Sequence, residues 1–154
     1  MHAFARGLDA AMRDARLSQR WAAWRLPDRA DWLAEDLRAI GCAPLPAASM
    51  PALRGDAQGA AALYVIEGAA LGARVLLADA RRLGHGRDAG TCFLHRHAEG
   101  EHGQRWPRFV RALDADFSDS DPAALCAAAN AAFAFADRCF STAAATTATA
   151  TTTA

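Results

Sequence analysis

Apolar positions recur along the chain at intervals of three and four, interrupted by short polar stretches and by glycine or proline. From Met1 to about Leu17, the residues Phe4, Leu8, Ala11, Met12 and Ala15 have helical spacing, because side chains three and four apart stack on one helix face. A second helix is predicted through Trp32, Leu33, Leu37 and Ile40, opened by Asp28 or Asp31 as N-cap and closed by Gly41. Pro44, Pro46 and Pro51 then keep the chain in a loop, since proline removes backbone donors and fixes φ. The longest helix is predicted over about 56–83, stopped by Gly84 and Gly86. A shorter one over 91–98 leads into 101–117. The Ser118-Asp119-Ser120-Asp121-Pro122 stretch turns the chain into a last helix over about 123–140. No run joins β-branched residues to period-two alternation, so the predicted fold is all-α. Residues 1–141 read as one domain. From Thr142 to the end only Ala and Thr occur, a low-complexity tail over 142–154 that is expected to be disordered.

The central helix is unusual. Leu63, Ile66, Ala70 and Leu77 form one apolar stripe, and Val65, Gly68, Gly72 and Val75 a second. A helix apolar on two faces is expected to lie between layers. Two interior glycines cost about 2 kcal/mol relative to alanine, so something should offset them. Either another helix approaches closely, or a flat ligand lies on backbone that a Cβ would push away.

The run Ala62-Leu63-Tyr64-Val65-Ile66-Glu67-Gly68-Ala69-Ala70-Leu71-Gly72-Ala73-Arg74-Val75 resembles the A-L-Y-V-x-E-G-S-x-L-G-G/A pattern of bacterial biliverdin-producing haem oxygenases. Gly103-Gln104-Arg105-Trp106-Pro107-Arg108-Phe109 is similar to that family's G-x-x-W-x-x-F. The Ala128-to-Phe133 run resembles the family's C-terminal A-x-x-x-F segment. The resemblance covers most of the chain from Met1 to Phe140 and implies a haem oxygenase-like multi-helical bundle. It also implies that the central helix kinks over haem. Gly68 and Gly72 would set the space on the oxygen side of the iron, and Val65, Val75 and Phe133 would complete the haem pocket. Arg74, Arg105 and Arg108 would be candidates for the propionates, because a guanidinium fork matches a carboxylate.

The implied activity is oxidative cleavage of haem, both substrate and cofactor, to biliverdin, carbon monoxide and ferrous iron. Electrons would come from a partner such as a ferredoxin or flavoprotein reductase. The protein would contribute ligation, steric direction and water, while haem carries the chemistry. Two positions depart from the family pattern. The helix bearing its proximal histidine has no counterpart, since Met1-His2-Ala3-Phe4 resembles the family's following helix. His2 does not occupy the ligand's place, so the iron ligand is unassigned. Ala69 stands where the family carries a small polar residue, and alanine has neither donor nor acceptor for a proton-delivering water network. The other reading is a non-catalytic helical module, a weak haem binder or an interaction domain.

Charge and composition narrow the field. Seventeen basic residues, all arginine, balance seventeen acidic ones, so no overall field favours nucleic acid or an anionic membrane. No signal-peptide pattern is present, and no segment reads as apolar enough to span a bilayer. Cys42, Cys92, Cys126 and Cys139 have no CxxC spacing and read as reduced, buried core thiols of a cytoplasmic protein. His85, His95, His97 and His102, near Glu99 and Glu101, offer a His-x-His zinc site or a fallback haem ligand. A polar loop of solvated histidines is the simpler reading. Trp21 and Trp24 beside Arg20 and Arg25 read as core aromatics rather than a base-stacking surface. Ser18, Ser49 and Ser141 lack a nucleophile-elbow context.

Overall fold

The opening helix buries the residues its spacing selects. Phe4, Leu8, Ala11 and Met12 face inward from α1 (His2–Asp14), which ends where Ala15 turns extended. The computed structural model describes residues 1–26, 28–46, 48–98, 104–119 and 122–152. Side chains are described as far as Ala143, except those of Ala70 and Arg74. A short α2 (Gln19–Ala22), not expected from the sequence, follows α1. Then come α3 (Arg29–Ala39), α4 (Gly55–Arg82), α5 (Cys92–Ala98), α6 (Arg105–Phe117) and α7 (Pro122–Thr152). Among the described residues there is no strand, and the chain is all-α.

Helix α4 is the axis of the molecule. Helices α5, α6 and α7 pack against it, while α1 and α2 touch its N-terminal half. Ala60, Ala61, Ala62, Leu63, Val65 and Ile66 are all buried. The small alanines let neighbouring backbones approach, and each fully buried Leu- or Ile-sized chain contributes about 1.5–3 kcal/mol. From α7, Ala132, Phe135, Ala136 and Cys139 complete the core. Phe135 meets Phe4 of α1 with ring centroids 5.6 Å apart.

Phe109 of α6 is the node of an aromatic cluster formed with Trp21, Trp24 and Trp106. This is why α2 exists. Its four residues place the buried Trp21 against Phe109 and Phe117, with the indole N–H donating to Asp116 at 3.0 Å.

Two ends behave as expected. Gly41 (φ 72°) follows α3 and Gly84 (φ 83°) follows α4, the left-handed conformation that closes helices at little cost only for glycine. Thr91 stands at the N-cap of α5, but its hydroxyl donates to the Gly86 carbonyl at 2.6 Å. Asp36 of α3, itself buried, supplies the cap instead. Its carboxylate accepts from the amides of Cys92 (2.6 Å) and Phe93 (2.9 Å).

Helix α4 is bent by 48° between Gly55–Ala73 and Val75–Arg82. The bend lies just past Gly68 and Gly72, and glycine is among the recognised causes of kinks.

At the C-terminus the helix does not stop near Phe140 but continues through the Ala/Thr stretch to Thr152. Alanine's helix propensity, the highest of all residues, carries it on without large apolar groups. The same alanines correct the expectation about membranes. Pro122–Ala143 spans 22 residues at mean hydropathy 1.2, with 22% of that segment buried. It is long and apolar enough, by length and composition, to cross a bilayer, because alanine raises hydropathy without the bulky run that marks most spans.

Candidate functional site

Glu67 is the only charged residue of α4 between Asp56 and Arg74, and it is wholly buried (0% exposed). Two guanidinium groups meet it. Arg29 of α3 donates through Nη2 to Oε1 at 2.5 Å. Arg105 of α6 donates through Nε to Oε2 at 3.1 Å and through Nη2 to Oε1 at 2.9 Å. Arg105 also donates to the Trp24 carbonyl at 2.8 Å, and its guanidinium lies over the Trp24 ring.

Burial alone would push the Glu67 carboxyl up. The Arg105 hydrogen bonds and the charges of Arg29 and Arg105 outweigh that effect and hold it below the usual carboxylate value. Arg29, itself buried, donates through Nε to Nε2 of His97 at 3.3 Å. A guanidinium has only donors, so Nε2 of His97 is the acceptor of this contact. The cluster ties α3, α4, α5 and α6 together.

These positions change the reading of three residues. Arg105, a candidate for a propionate, directs its donors inward to Glu67 and Trp24. His95 and His97 are buried rather than solvated. Sequence reasoning passed over Glu67, although a lone acid within a long apolar stretch of helix was a signal available to it.

A second feature lies on the other flank of α4. An open cleft of about 610 Å³ runs between α4, α6 and α7, walled by Tyr64, Leu113, Phe117, Leu125, Ala129 and Phe133. That size is ordinary for a small-molecule site, and its walls have the apolar and aromatic character of one. Asp114, Ser118, Cys126 and Asn130 supply its polar groups. Phe133 is half exposed (50%) within it. Tyr64 leads along α4 at helical spacing to Gly68, Leu71 and Val75. Leu71, Val75 (67% exposed) and Leu76 are large apolar side chains open to solvent.

The stripe Val65–Gly68–Gly72–Val75 therefore does not share one environment. Val65 belongs to the core. Gly68 faces the Trp106 ring, 3.4 Å from where a Cβ would stand, whereas a Cβ on Gly72 would meet nothing within 4 Å. A Cβ on Gly68 would make an ordinary van der Waals contact with that ring, so neither glycine is required by its packing, and Gly72 lies on open surface. Arg108 is exposed on α6. The Arg74 side chain, together with Glu99, Glu101, His102 and Gly103, lies outside the described residues.

Comparison with known families, curated proteins and solved structures finds no match.

Among the described residues no group of three or more His, Cys, Asp or Glu could hold a metal ion. All four cysteines are free thiols; Cys139 is a core thiol as expected, whereas Cys42 and Cys126 are exposed and Cys92 is half-buried. His2 is buried on α1 and borders a different, polar cleft formed with α3 and the loop around Met50. His85 is half-buried, its Nδ1 3.0 Å from the Ala89 carbonyl oxygen. The walls of the α4–α6–α7 cleft are apolar and aromatic, and of the residues expected in a haem pocket only Phe133 lines it. Among its described lining residues there is no imidazole to meet an iron.

Proposed function

We propose that the protein is a haem oxygenase-like helical protein that holds a haem ring in the cleft between α4, α6 and α7. The observation that carries this reading is an unfilled, aromatic-walled cleft beside the helix whose sequence resembles the family's distal motif. The bend of α4 beyond Gly72 agrees with the kink that the resemblance implies. Phe133, Tyr64 and Phe117 would contact the ring, and the exposed Arg108 would be available to a propionate at the rim. When bound, haem would supply the redox and oxygen chemistry of cleavage to biliverdin, carbon monoxide and ferrous iron, with electrons from a ferredoxin or flavoprotein partner.

A second reading, binding without turnover, is favoured by a specific observation. The described cleft lining contains no histidine, and Ala69 presents only a methyl group to solvent.

Titration with haemin followed by absorbance separates the two. A saturable Soret band that bleaches to a biliverdin spectrum on adding reductant and oxygen supports the oxygenase. A stable Soret band under the same conditions supports the non-catalytic binder. Absence of stoichiometric binding rejects both.

A further inference from the structure

We propose that the α4–α6–α7 cleft takes an amphiphilic organic cation, an apolar or aromatic body carrying an ammonium group that meets Asp114. The inference does not rest on the haem reading. The two ligands would compete for one cleft, and each stands or falls by its own titration.

Each of the three helices contributes one aromatic ring to the cleft, Tyr64 from α4, Phe117 from α6 and Phe133 from α7. Two of these rings are fixed by packing. Tyr64 lies 5.2 Å, ring to ring, from Trp106, and Phe117 lies 5.3 Å from Trp21. Such rings bury apolar surface, and their negative faces also attract a cation. Among the described residues Asp114 is the only charged one that lines the cleft. Its neighbour on α6, Asp116, is answered by the Trp21 indole N–H at 3.0 Å and by Arg20 at 2.9 Å. Asp114 has neither a hydrogen bond nor an ion pair among the described residues.

That one charge decides between ligand classes. A neutral apolar ligand would take water from the carboxylate and return nothing for it. An anion would be repelled. An ammonium replaces the lost water, and the rings attract the same charge. Asp114 is exposed, so the head of the ligand lies towards solvent and its body between Tyr64, Phe117 and Phe133. The Ser118 hydroxyl and the Asn130 side-chain carbonyl, which also line the cleft, can accept from the ammonium N–H groups.

The test titrates the full chain, by isothermal titration calorimetry, with three probes that share one body: phenylbutylammonium, phenylbutanol and phenylbutyrate. The ammonium is expected to bind about tenfold tighter than the alcohol, and the carboxylate weakest of the three. Asp114→Asn, at an exposed position, is expected to bring the ammonium within about threefold of the alcohol and to leave the alcohol unchanged. Added salt should weaken the ammonium alone. Ala129→Trp, which fills the cleft from α7, is expected to weaken ammonium and alcohol alike by about tenfold or more. Leu125→Trp repeats that test from another position, and circular dichroism shows that each variant keeps its helices.

Equal binding of ammonium and alcohol overturns the inference, as does an ammonium preference that survives Asp114→Asn. Failure of all three probes to bind overturns it too. Ammonium binding untouched by both cleft-filling variants places the ligand elsewhere and has the same consequence.

Discussion

Arg105 and Glu67, 38 positions apart in the chain, form a two-pronged pair. Nε donates to Oε2 at 3.1 Å and Nη2 donates to Oε1 at 2.9 Å. The carboxylate is shared with Arg29, so one buried anion answers two cations. Removing the anion leaves both cations in the interior without it. Glu67→Ala is therefore expected to cost about 3–5 kcal/mol, the range for breaking a buried pair by deleting one partner. Urea unfolding followed by circular dichroism measures it. A loss below about 1 kcal/mol would mean that the site is wetter than its burial implies.

The same group sets an acid limit. Glu67 has its folded-state value below the ordinary 4.5, so in the pH range just below 4.5 the unfolded chain binds more protons than the folded one. The stability it confers is complete above that value and is lost as pH falls through it towards the folded one. Glu67→Gln removes this contribution. Its stability curve is expected to be flatter than that of the parent below about pH 4.5, as read from urea midpoints across an acid series.

Asp36 caps a helix to which it does not belong. Asp36→Ala leaves the Cys92 and Phe93 amides without their carboxylate and is expected to cost about 1–2 kcal/mol. Hydrogen exchange at those two amides should accelerate more than exchange in α7. Equal acceleration everywhere would assign the loss to global destabilisation rather than to the cap.

Gly72 lies in a helix interior with open space beyond it. Gly72→Ala is expected to raise stability by about 1 kcal/mol through helix propensity alone. Gly72 does not line the α4–α6–α7 cleft, so haemin affinity is expected to stay unchanged while thermal stability rises. A loss of haemin affinity would place the ring on the α4 surface at Gly72 rather than in the cleft.

Gly7 is the opposite case. A Cβ there would stand 2.5 Å from the Ala48 carbonyl oxygen and 2.5 Å from the Phe135 ring, where α1 meets both a loop and α7. Gly7→Ala is expected to destabilise by about 1–3 kcal/mol, because the loop backbone and the packed ring would both have to shift. A thermal midpoint unchanged from the parent would show that α1 can slide away from the loop.

The helices that bury one regular stripe were legible in the sequence. The expected 56–83 helix is found as Gly55–Arg82, and Gly41 and Gly84 close their helices as anticipated. Helix α2 was not legible, since four residues carry no period and it is held by the contact of Trp21 with Phe109, 88 positions away. The second stripe of α4 was legible as a pattern but not as a place. The sequence could not show that Val65 faces the core while Val75 faces solvent, because a bend and the extent of the neighbouring helices decide which turns are covered.

By itself, the sequence determined the helical period, the breaks at glycine and proline, and a central helix too apolar for an ordinary surface. Each follows from the geometry of residues a few positions apart. The tertiary structure alone decided that Glu67 would be enclosed by Arg29 and Arg105, that Asp36 would cap α5, and that Trp106 would cover Gly68 while Gly72 stayed open. Those outcomes depend on which helices meet. A charge or a glycine has one local propensity but very different energies in water, beside a guanidinium, or against a ring.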